Sequence, residues 1–300
     1  MSSLIESVLL YLLINKGTLR TNDRKLITRF KMKKYLVLIV VGVLSSISVL
    51  AQNTERAEME CLYRLSFLKD TTNTVTTDDL MVLRLNKEKS LFYSYNSYTL
   101  DSLLCSDNGM AIRMDILANG SSKYGKRIVS YTILKDFKNN QIDYTDNVGG
   151  EHYRYQEELP NFNWVISTEQ KKIGDYTCQK ATCDFRGRTY EAWFTTEIPV
   201  KDGPWKFHGL PGLILEVYDI QKHYSFVFVG LRNSDANISM LPRQYTKSSR
   251  EKYLKAYKNY IKDPVAFISA ASGMKITLKN SSARKPKQNK VTNYDVMERD

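Results

Sequence analysis

The sequence predicts a mainly β protein of the α+β class, with a curved antiparallel sheet or half-barrel and two or three helices on one face. Roughly nine to eleven short segments alternate apolar and polar residues, which is the pattern of half-buried strands. Turn signals such as Asn139-Asn140 and Gly149-Gly150 separate them closely, so antiparallel hairpins are favoured. The 20 tyrosines also suit this fold, because a large ring with a polar tip can line a concave sheet or a ligand groove.

The first half of the predicted sheet begins with three strands, over Met59–Phe67, Leu80–Leu85 and Ser90–Ser94. Apolar and polar side chains alternate through the first strand, so one of its faces is expected in the core. From Leu100 to Leu117 the apolar residues follow a helical spacing, which Asn108-Gly109 interrupts. This segment predicts two short helices or one broken helix.

The second half adds further short strands and one clear helix. The predicted strands are Ile128–Leu134, Gln141–Thr145, Tyr153–Gln156, a strand opening at Trp164, Asp175–Phe185, Thr189–Thr195, Leu213–Val217 and Tyr224–Leu231. Both faces of the last strand are apolar, which indicates a central or helix-covered position. Arg250–Ile261 is predicted as a basic amphipathic helix that Asp263-Pro264 ends.

The stretch Gly203–Val217 combines turn signals, an aromatic cluster and the start of a strand. Leu210-Pro211-Gly212-Leu213 is predicted as a type II turn, because Pro211 presets φ at the second position and Gly212 accepts the positive φ required at the third. From Leu213-Ile214 onward the alternation is that of a strand. The stretch carries no obvious chemistry by itself.

The N-terminal segment predicts export. A basic pair, an apolar run and a small-residue site make residues 32–51 a signal peptide, cleaved near Ala51/Gln52. The apolar run is shorter than the roughly 20 residues of a membrane span, so the mature chain is expected to have no transmembrane helix. Residues 1–31 are interpreted as a spurious extension, and the true start, Met1 or Met32, stays open. The expected location is the periplasm or the exterior of the cell.

The remaining chain is predicted as a single β-rich domain over residues 52–278, followed by a polar basic tail over residues 279–300. Residues 1–51 carry eight Lys/Arg and two Asp/Glu, so the net charge of residues 52–300 is +6, against +12 for the whole chain. Half or more of this excess lies in Arg243–Lys262, where seven basic residues oppose Glu251 alone. A solvated helix face explains it better than a nucleic-acid site, because no recognisable nucleic-acid module accompanies the charge.

Four cysteines are possible disulfide partners in an oxidising compartment, with three full connectivities open: Cys61, Cys105, Cys178 and Cys183. On one straight strand Cys178 and Cys183 would lie roughly 16 Å apart, at about 3.3 Å per residue, so they could pair only across a turn. Cys61 falls on the apolar face of the first strand, where a buried free thiol is the alternative.

Several motifs resemble a known family. They are Ser90–Ser94, Ile173–Thr182, Arg186–Thr195 with Glu197-Ile198-Pro199, and the hexapeptide Gly209-Leu210-Pro211-Gly212-Leu213-Ile214. On these residues the chain resembles the GLPGLI family of Bacteroidetes envelope proteins. The resemblance implies an exported protein of unknown biochemical activity, often associated with TonB-dependent outer-membrane transport systems. The strand-hairpin-Trp pattern is also similar to the half-barrel of periplasmic lipoprotein-carrier proteins, which is a likeness of fold alone.

The sequence offers few candidates for catalytic chemistry. His208, beside the Pro-Gly turn, and His152 are candidates for a metal or acid–base role, with a structural hydrogen bond as the alternative. Three carboxylates near the hexapeptide could supply an acid–base pair, namely Glu191, Glu197 and Asp202. The fingerprints of metalloproteases, serine hydrolases, phosphate-binding loops and dinucleotide sites do not occur in the sequence, and no cofactor is expected.

An aromatic group surrounds the hexapeptide and consists of Trp193, Trp205, Phe207 and Tyr218. These rings would brace the turn as a core plug, or line a groove for a lipid, acyl chain or peptide. The leading hypothesis is an exported, non-enzymatic binding or accessory protein that holds a hydrophobic ligand or peptide, or assists an outer-membrane transporter. The alternatives are a metal-dependent or hydrolytic envelope enzyme using His208 and His152, and an interaction module that docks through an edge strand. The sequence leaves the ligand and the oligomeric state open.

Overall fold

The computed structural model of the protein describes residues 56–72, 74–273 and 297–298, which all belong to one unit, Glu55–Asp300. The predicted signal peptide and residues 1–31 lie outside this part of the chain, as does most of the predicted tail. Where the chain is described, it forms twelve strands and four α-helices.

The strands and helices are as follows. The strands are β1 Met59–Leu68, β2 Thr76–Leu85, β3 Lys89–Ser94, β4 Thr132–Asp136, β5 Gln141–Val148, β6 Glu151–Glu158, β7 Val165–Ile173, β8 Tyr176–Phe185, β9 Arg188–Thr195, β10 Leu213–Asp219, β11 Tyr224–Asn233 and β12 Thr246–Lys247. The helices are α1 Tyr95–Leu104, α2 Gly109–Asn119, α3 Arg250–Lys262 and α4 Pro264–Ser272.

All these strands belong to one open, curled sheet. Its order is β12-β6-β5-β4-β3-β2-β1-β11-β10-β9-β8-β7, and neighbours are antiparallel except the short β12, which runs parallel to β6. Two runs of strands that pair in sequence order, β1–β6 and β7–β11, therefore meet where β1 pairs with β11. The predicted mainly β fold with a curved antiparallel sheet is confirmed, and β11 is central as expected.

Several element boundaries differ from the prediction. β4 begins at Thr132 rather than at Ile128, and the interrupted helical region contains two helices, α1 and α2. α3 ends before Asp263-Pro264, but these residues also begin α4, because the Asp263 carboxylate accepts a hydrogen bond from the Ala266 backbone at 2.9 Å. Proline suits the first helical position, where its missing N–H leaves no bond unmade. Within the described ranges, no helix is both long and apolar enough to span a membrane.

The sheet has an inner and an outer face, each with its own apolar cluster. The inner cluster includes Tyr63, Phe92, Ile133 and Tyr144, and the outer cluster includes Leu62, Val82, Tyr93 and Leu134. α3 lies on the inner face, where Tyr253 contacts Tyr144, whereas α1 lies on the outer face, where the rings of Tyr98 and Tyr93 are 4.1 Å apart. The helices therefore contact both faces, although the prediction placed them on one, because successive strand residues present apolar side chains to both sides.

The segment between β9 and β10 packs against the inner face and forms part of the core. Four of its apolar side chains belong to the inner cluster, namely Ile198, Trp205, Phe207 and Leu210. Lys135 of β4 anchors the segment from the sheet. Its fully buried ammonium group pairs with the Asp202 carboxylate and donates a hydrogen bond of 2.8 Å to the Gly203 carbonyl oxygen. The segment is thus fixed by an ion pair as well as by apolar packing.

The predicted type II turn over Leu210–Leu213 is wrong. Gly212 does not adopt a positive φ, and the glycine of this motif that does is Gly209, at 94°. Gly212 is required for a different reason, since a Cβ at this position would lie 2.0 Å from the Thr195 carbonyl oxygen. A side chain would therefore push β9 away from the start of β10.

Candidate functional site

A pocket of about 370 Å³ lies between the inner face of the sheet and α3. Seven tyrosines line it, namely Tyr131, Tyr144, Tyr155, Tyr224, Tyr253, Tyr257 and Tyr260. Apolar side chains complete much of the wall, among them Leu65, Phe67, Val129, Trp205 and Leu254. We call this space the tyrosine pocket.

Two strands and one helix bring five of these tyrosines together. Tyr144 on β5 and Tyr155 on β6 are register partners, and the centroids of their stacked rings are 4.8 Å apart. Tyr253 of α3 covers this pair, with its ring 5.3 Å from Tyr144 and 5.4 Å from Tyr155. Tyr257 and Tyr260 follow at four and seven positions along the helix, a spacing that places all three on one side. The tyrosine face of α3 therefore closes the pocket.

Asp146 is a buried carboxyl group among the pocket-lining residues. Its Oδ1 accepts hydrogen bonds from the Ser130 hydroxyl at 2.6 Å and from the Asn147 backbone at 2.7 Å. Its Oδ2 accepts a hydrogen bond from the Tyr253 hydroxyl at 2.7 Å. Burial raises the pKa of Asp146, against the opposing effect of these hydrogen bonds. Both carboxyl oxygens have protein partners, so the main effect of Asp146 is to hold Tyr253 in place.

A group of basic side chains meets Glu298 at the wall of the pocket. We call Lys206, Arg186 and Arg250 the cation cluster. Glu298 forms an ion pair with each of them, including a contact of 2.5 Å from Arg250 Nε to Oε2. The fully buried Lys206 ammonium also lies 2.5 Å from Glu157 and 3.1 Å from the Tyr155 hydroxyl. The cluster is thus a dense site for carboxylates.

The dipeptide Met297-Glu298 forms part of the wall of the tyrosine pocket. Burial disfavours the ionised form of Glu298, but the charges of Lys206 and Arg186 outweigh burial, so the pKa of this carboxyl is lowered. Met297 is 9% exposed and lines the pocket, and its carbonyl oxygen accepts a hydrogen bond from the Tyr190 hydroxyl at 3.1 Å. The dipeptide therefore presents an apolar side chain and an ionised carboxylate to one site.

Trp205 reaches the pocket through an unusual backbone conformation. Its φ is 53°, in the left-handed region that bulky residues rarely adopt. The Phe207 N–H closes the turn by donating to the Pro204 carbonyl oxygen at 3.1 Å, and the Trp205 ring is buried against Phe207. Backbone strain of this kind persists where the surrounding structure holds it, and it concentrates at functional sites. Here the turn carries Lys206 into the cation cluster.

The structure divides the predicted aromatic group between the two faces of the sheet. Phe207 lies on the inner face with Trp205, and its ring is 4.8 Å from Tyr190. Trp193 and Tyr218 lie on the opposite face, where both donate hydrogen bonds to Glu191. The four rings therefore do not form one groove, and Trp205 is the member that lines the tyrosine pocket.

His208 lies in a separate groove of about 430 Å³, beside Trp164 and Phe162. Its ring meets Phe162 and Phe137 edge-on, at centroid distances of 5.4 and 5.9 Å. Burial and the neighbouring Lys135 charge lower the pKa of His208 to about 4. This histidine is therefore neutral at pH 7 and sits in largely aromatic surroundings.

His152 lies elsewhere, on β6, and does not share the groove of His208. Arg243 Nη1 contacts the ring at 2.8 Å from Nε2. Burial, together with the Arg243 charge, lowers the pKa of His152 to about 4. In the described part of the chain, no three His, Cys, Asp or Glu side chains are grouped as metal ligands. The two histidines are thus not brought together.

The three candidate carboxylates also have separate partners. Asp202 pairs with Lys135, and Glu197 accepts a hydrogen bond from the Thr177 backbone at 2.8 Å. Glu191 accepts one from the Trp193 indole at 3.0 Å and faces away from the inner side of the sheet. Each carboxylate has a structural contact of its own.

The four cysteines are free thiols in the structure. Cys178 and Cys183 lie on the single strand β8 with no turn between them, which leaves them too far apart to bridge. Cys61 lies on β1, which is four strand positions from β8 in the sheet. Cys105 follows α1, where its sulfur accepts a contact of 3.4 Å from Arg243. None of the possible pairings among these four cysteines is formed.

The sequence did not identify most of this site. One signal was present, because Tyr253, Tyr257 and Tyr260 lie on one side of the predicted basic helix. The residues next to Glu298 in the sequence do not indicate that it is buried, because its basic partners lie between 48 and 112 residues away in the chain. Lys206 and Asp146 sit in strands and turns whose neighbours do not reveal their burial.

Solved structures and one family resemble parts of this chain. Two structures of PNGF-II, one in space group P21 and one in C2, are similar to it with TM-scores of 0.45 and 0.44, each at 16% identity. Each alignment covers 68% of this chain and 33% of the PNGF-II chain, so this chain spans about a third of their length. The curated protein sequences contain no match. Residues 184–216, which include the whole hexapeptide, match a Bacteroidetes-associated family described as "Protein of unknown function (Porph_ging)", while the GLPGLI name stays a prediction.

Proposed function

We propose that this protein is an exported, non-catalytic binding protein of the cell envelope that holds an apolar group in the tyrosine pocket. The observation that carries the proposal is the pocket itself, a space of about 370 Å³ with seven tyrosines in its wall. Ligand sites typically occupy roughly 300–1,000 Å³ and combine mainly apolar walls with a few placed polar groups. Asp146 and Glu298 are such polar groups in this wall.

The chemistry of tyrosine favours an apolar and preferably flat ligand. The rings of the stacked pair Tyr144–Tyr155 and of Tyr253 line the pocket. Ring faces gain dispersion energy and desolvation from apolar groups, while their hydroxyls stay hydrogen-bonded. Tyr253 is held by Asp146, so this part of the wall is ordered before a ligand arrives and little conformational entropy is lost on binding.

Binding fits these residues better than catalysis does. His208 and His152 lie in different cavities, and both have a pKa lowered to about 4. The carboxyl oxygens of Asp146 are engaged by Ser130, Asn147 and Tyr253, which leaves it poorly placed as a general base. An outer-membrane transporter as partner and docking through an edge strand remain predictions from the sequence.

Export is a separate part of the proposal. It rests on the signal-peptide pattern of residues 32–51. Mass spectrometry of the protein recovered from the periplasm should give an N-terminus at Gln52. Recovery of the unprocessed chain in the cytoplasm would contradict export but leave the pocket untested, so the pocket needs its own experiment.

Binding is tested with N-phenyl-1-naphthylamine, an uncharged aromatic probe whose fluorescence rises in apolar surroundings. The wild-type chain should bind it saturably. Leu254 of α3 lines the pocket, so Leu254→Trp should fill the space and weaken binding at least tenfold. Lys255→Trp adds the same ring at the next position, which is exposed and outside the pocket, and should leave binding unchanged. Absence of saturable binding, or equal binding by both variants, would rule the proposal out.

A further inference from the structure

The chain's own Met297-Glu298 contacts the pocket in the way a bound peptide would. Its apolar side chain lies in the tyrosine pocket, its backbone carbonyl accepts a hydrogen bond from Tyr190, and its carboxylate lies in the cation cluster. The dipeptide belongs to no strand or helix, so its described contacts are side-chain contacts and one backbone hydrogen bond. These are the contacts by which a short peptide is recognised.

The three positive charges around Glu298 favour an anion at its position. Lys206 is fully buried, and the side chains of Arg186 and Arg250 are 19% and 16% exposed. If Glu298 left, Lys206 and Arg186 would share the single carboxylate of Glu157 within the described structure. Buried cations without enough counter-charge are unfavourable, so another carboxylate would be drawn to the position.

We infer that the tyrosine pocket and the cation cluster form a binding site for a peptide segment in which an apolar residue precedes a glutamate. Met297-Glu298 fills this site in the free protein, and a segment of the same chemistry from a partner protein replaces it. The inference rests on the proposed function, because the apolar residue of the partner segment enters the tyrosine pocket. It adds the class of ligand and an internal competitor.

Met297-Glu298 competes with any added peptide for the same site, and this competition determines how tightly the peptide is expected to bind. A tethered segment acts at an effective concentration of about a millimolar, so a free peptide competes poorly with it. Weakening the tail by Glu298→Ala should therefore expose the site. The substitution removes the carboxylate from the cation cluster and leaves the receptor residues in place.

The test measures fluorescence anisotropy of a labelled synthetic peptide with the sequence of residues 293–300. The full chain with Glu298→Ala should bind this peptide at least tenfold more tightly than the wild-type chain does. A second peptide, in which glutamine replaces the glutamate of residue 298, should bind at least tenfold more weakly. Glu298→Gln in the protein, which keeps the side-chain shape, provides a second receptor and should behave like Glu298→Ala.

Two further substitutions locate the binding. In the Glu298→Ala chain, Arg250→Gln should weaken peptide binding at least tenfold, because Arg250 contacts the carboxylate. Lys252→Gln removes an equal charge from an exposed position of the same helix and should change binding less than twofold. Equal effects of the two would show a general attraction between charges and would overturn the inference.

The remaining outcomes also decide the question. Failure of both Glu298 variants to bind the peptide would overturn the inference, as would loss of their folded structure by circular dichroism, since the tail would then be a fixed part of the fold. N-phenyl-1-naphthylamine binding by the same proteins separates this result from failure of the proposed function. If the proteins bind the neutral probe but not the peptide, the proposed function stands and the inference of a peptide ligand is overturned.

Discussion

Tyr253 on α3 donates a hydrogen bond of 2.7 Å to Asp146 on β5, and the two side chains are 4% and 6% exposed. The contact joins a helix to the sheet through a polar bond inside an otherwise aromatic wall. Asp146 also accepts hydrogen bonds from the Ser130 hydroxyl and the Asn147 backbone. The position of Tyr253 is therefore set by a hydrogen-bond network as well as by ring contacts. The wall that α3 contributes to the tyrosine pocket therefore depends on the hydrogen bond between Tyr253 and Asp146.

Removing the Tyr253 hydroxyl should loosen α3. Tyr253→Phe takes one donor from a buried carboxyl group, which costs about 1–2 kcal/mol of unfolding free energy. Urea unfolding followed by circular dichroism should show a lower midpoint with an unchanged slope. Tyr260→Phe, on the same helix, should shift the midpoint much less, because Tyr260 contributes its ring contact with Phe267. A larger effect for Tyr260→Phe would contradict the assignment.

Acid should destabilise the protein through His208. Its pKa is about 4 in the folded protein, against an ordinary value of about 6.5, so the unfolded chain binds the proton first. Stability is therefore retained above the unfolded value and lost as pH falls from about 7 toward 4, by about 3 kcal/mol at most. His208→Phe should flatten the stability profile in this window, measured by urea unfolding at several pH values. An unchanged slope would show that His208 titrates normally.

The hexapeptide should be intolerant of a side chain at Gly212 in particular. Gly212→Ala would place a Cβ 2.0 Å from the Thr195 carbonyl oxygen, and overpacking of this kind should cost about 3 kcal/mol. Gly230→Ala is the matched control, because a Cβ there meets no atom within 4 Å and should change stability by less than about 0.5 kcal/mol. Thermal unfolding of both variants checks the prediction, and similar melting temperatures would refute the close approach.

The ion pair beneath the β9–β10 segment should be costly to break from one side. Lys135→Met leaves the Asp202 carboxylate buried without its cation, which should cost about 3–5 kcal/mol. Adding Asp202→Asn removes the uncompensated charge, so the double variant should recover part of the loss. Urea unfolding of the three variants gives the coupling energy. Strictly additive losses would mean that the two charges act independently.

The strand pattern was predictable because it is local. Alternation over β1 and the hairpin of β8 and β9 can be read from the sequence, since side chains two apart share a face. Lys135 could not be recognised as buried, because its partner Asp202 lies 67 residues later in the chain. Its position in a strand of mixed polarity suggests exposure until the segment that covers it is known.

The wrong turn at the hexapeptide and the unforeseen burial of Glu298 have the same origin. A Pro-Gly pair predicts a turn from backbone preference, but Gly212 is needed for contact with another strand, which no local pattern reports. The tail composition is polar and basic, yet Glu298 is buried by three cations from distant elements. The helix Arg250–Lys262 depends on local order, so its position could be predicted from the sequence.

The strand order has a consequence for the curvature of the sheet. β6 ends at Glu158 and β7 begins at Val165, yet the two strands are ten positions apart in the sheet. At about 4.8 Å per strand, a flat sheet would separate them by roughly 48 Å. The seven Cα–Cα steps of the connection reach about 25 Å at most. The length of one covalent connection thus excludes a flat sheet and requires the strands between β6 and β7 to curve round until these two strands come close together.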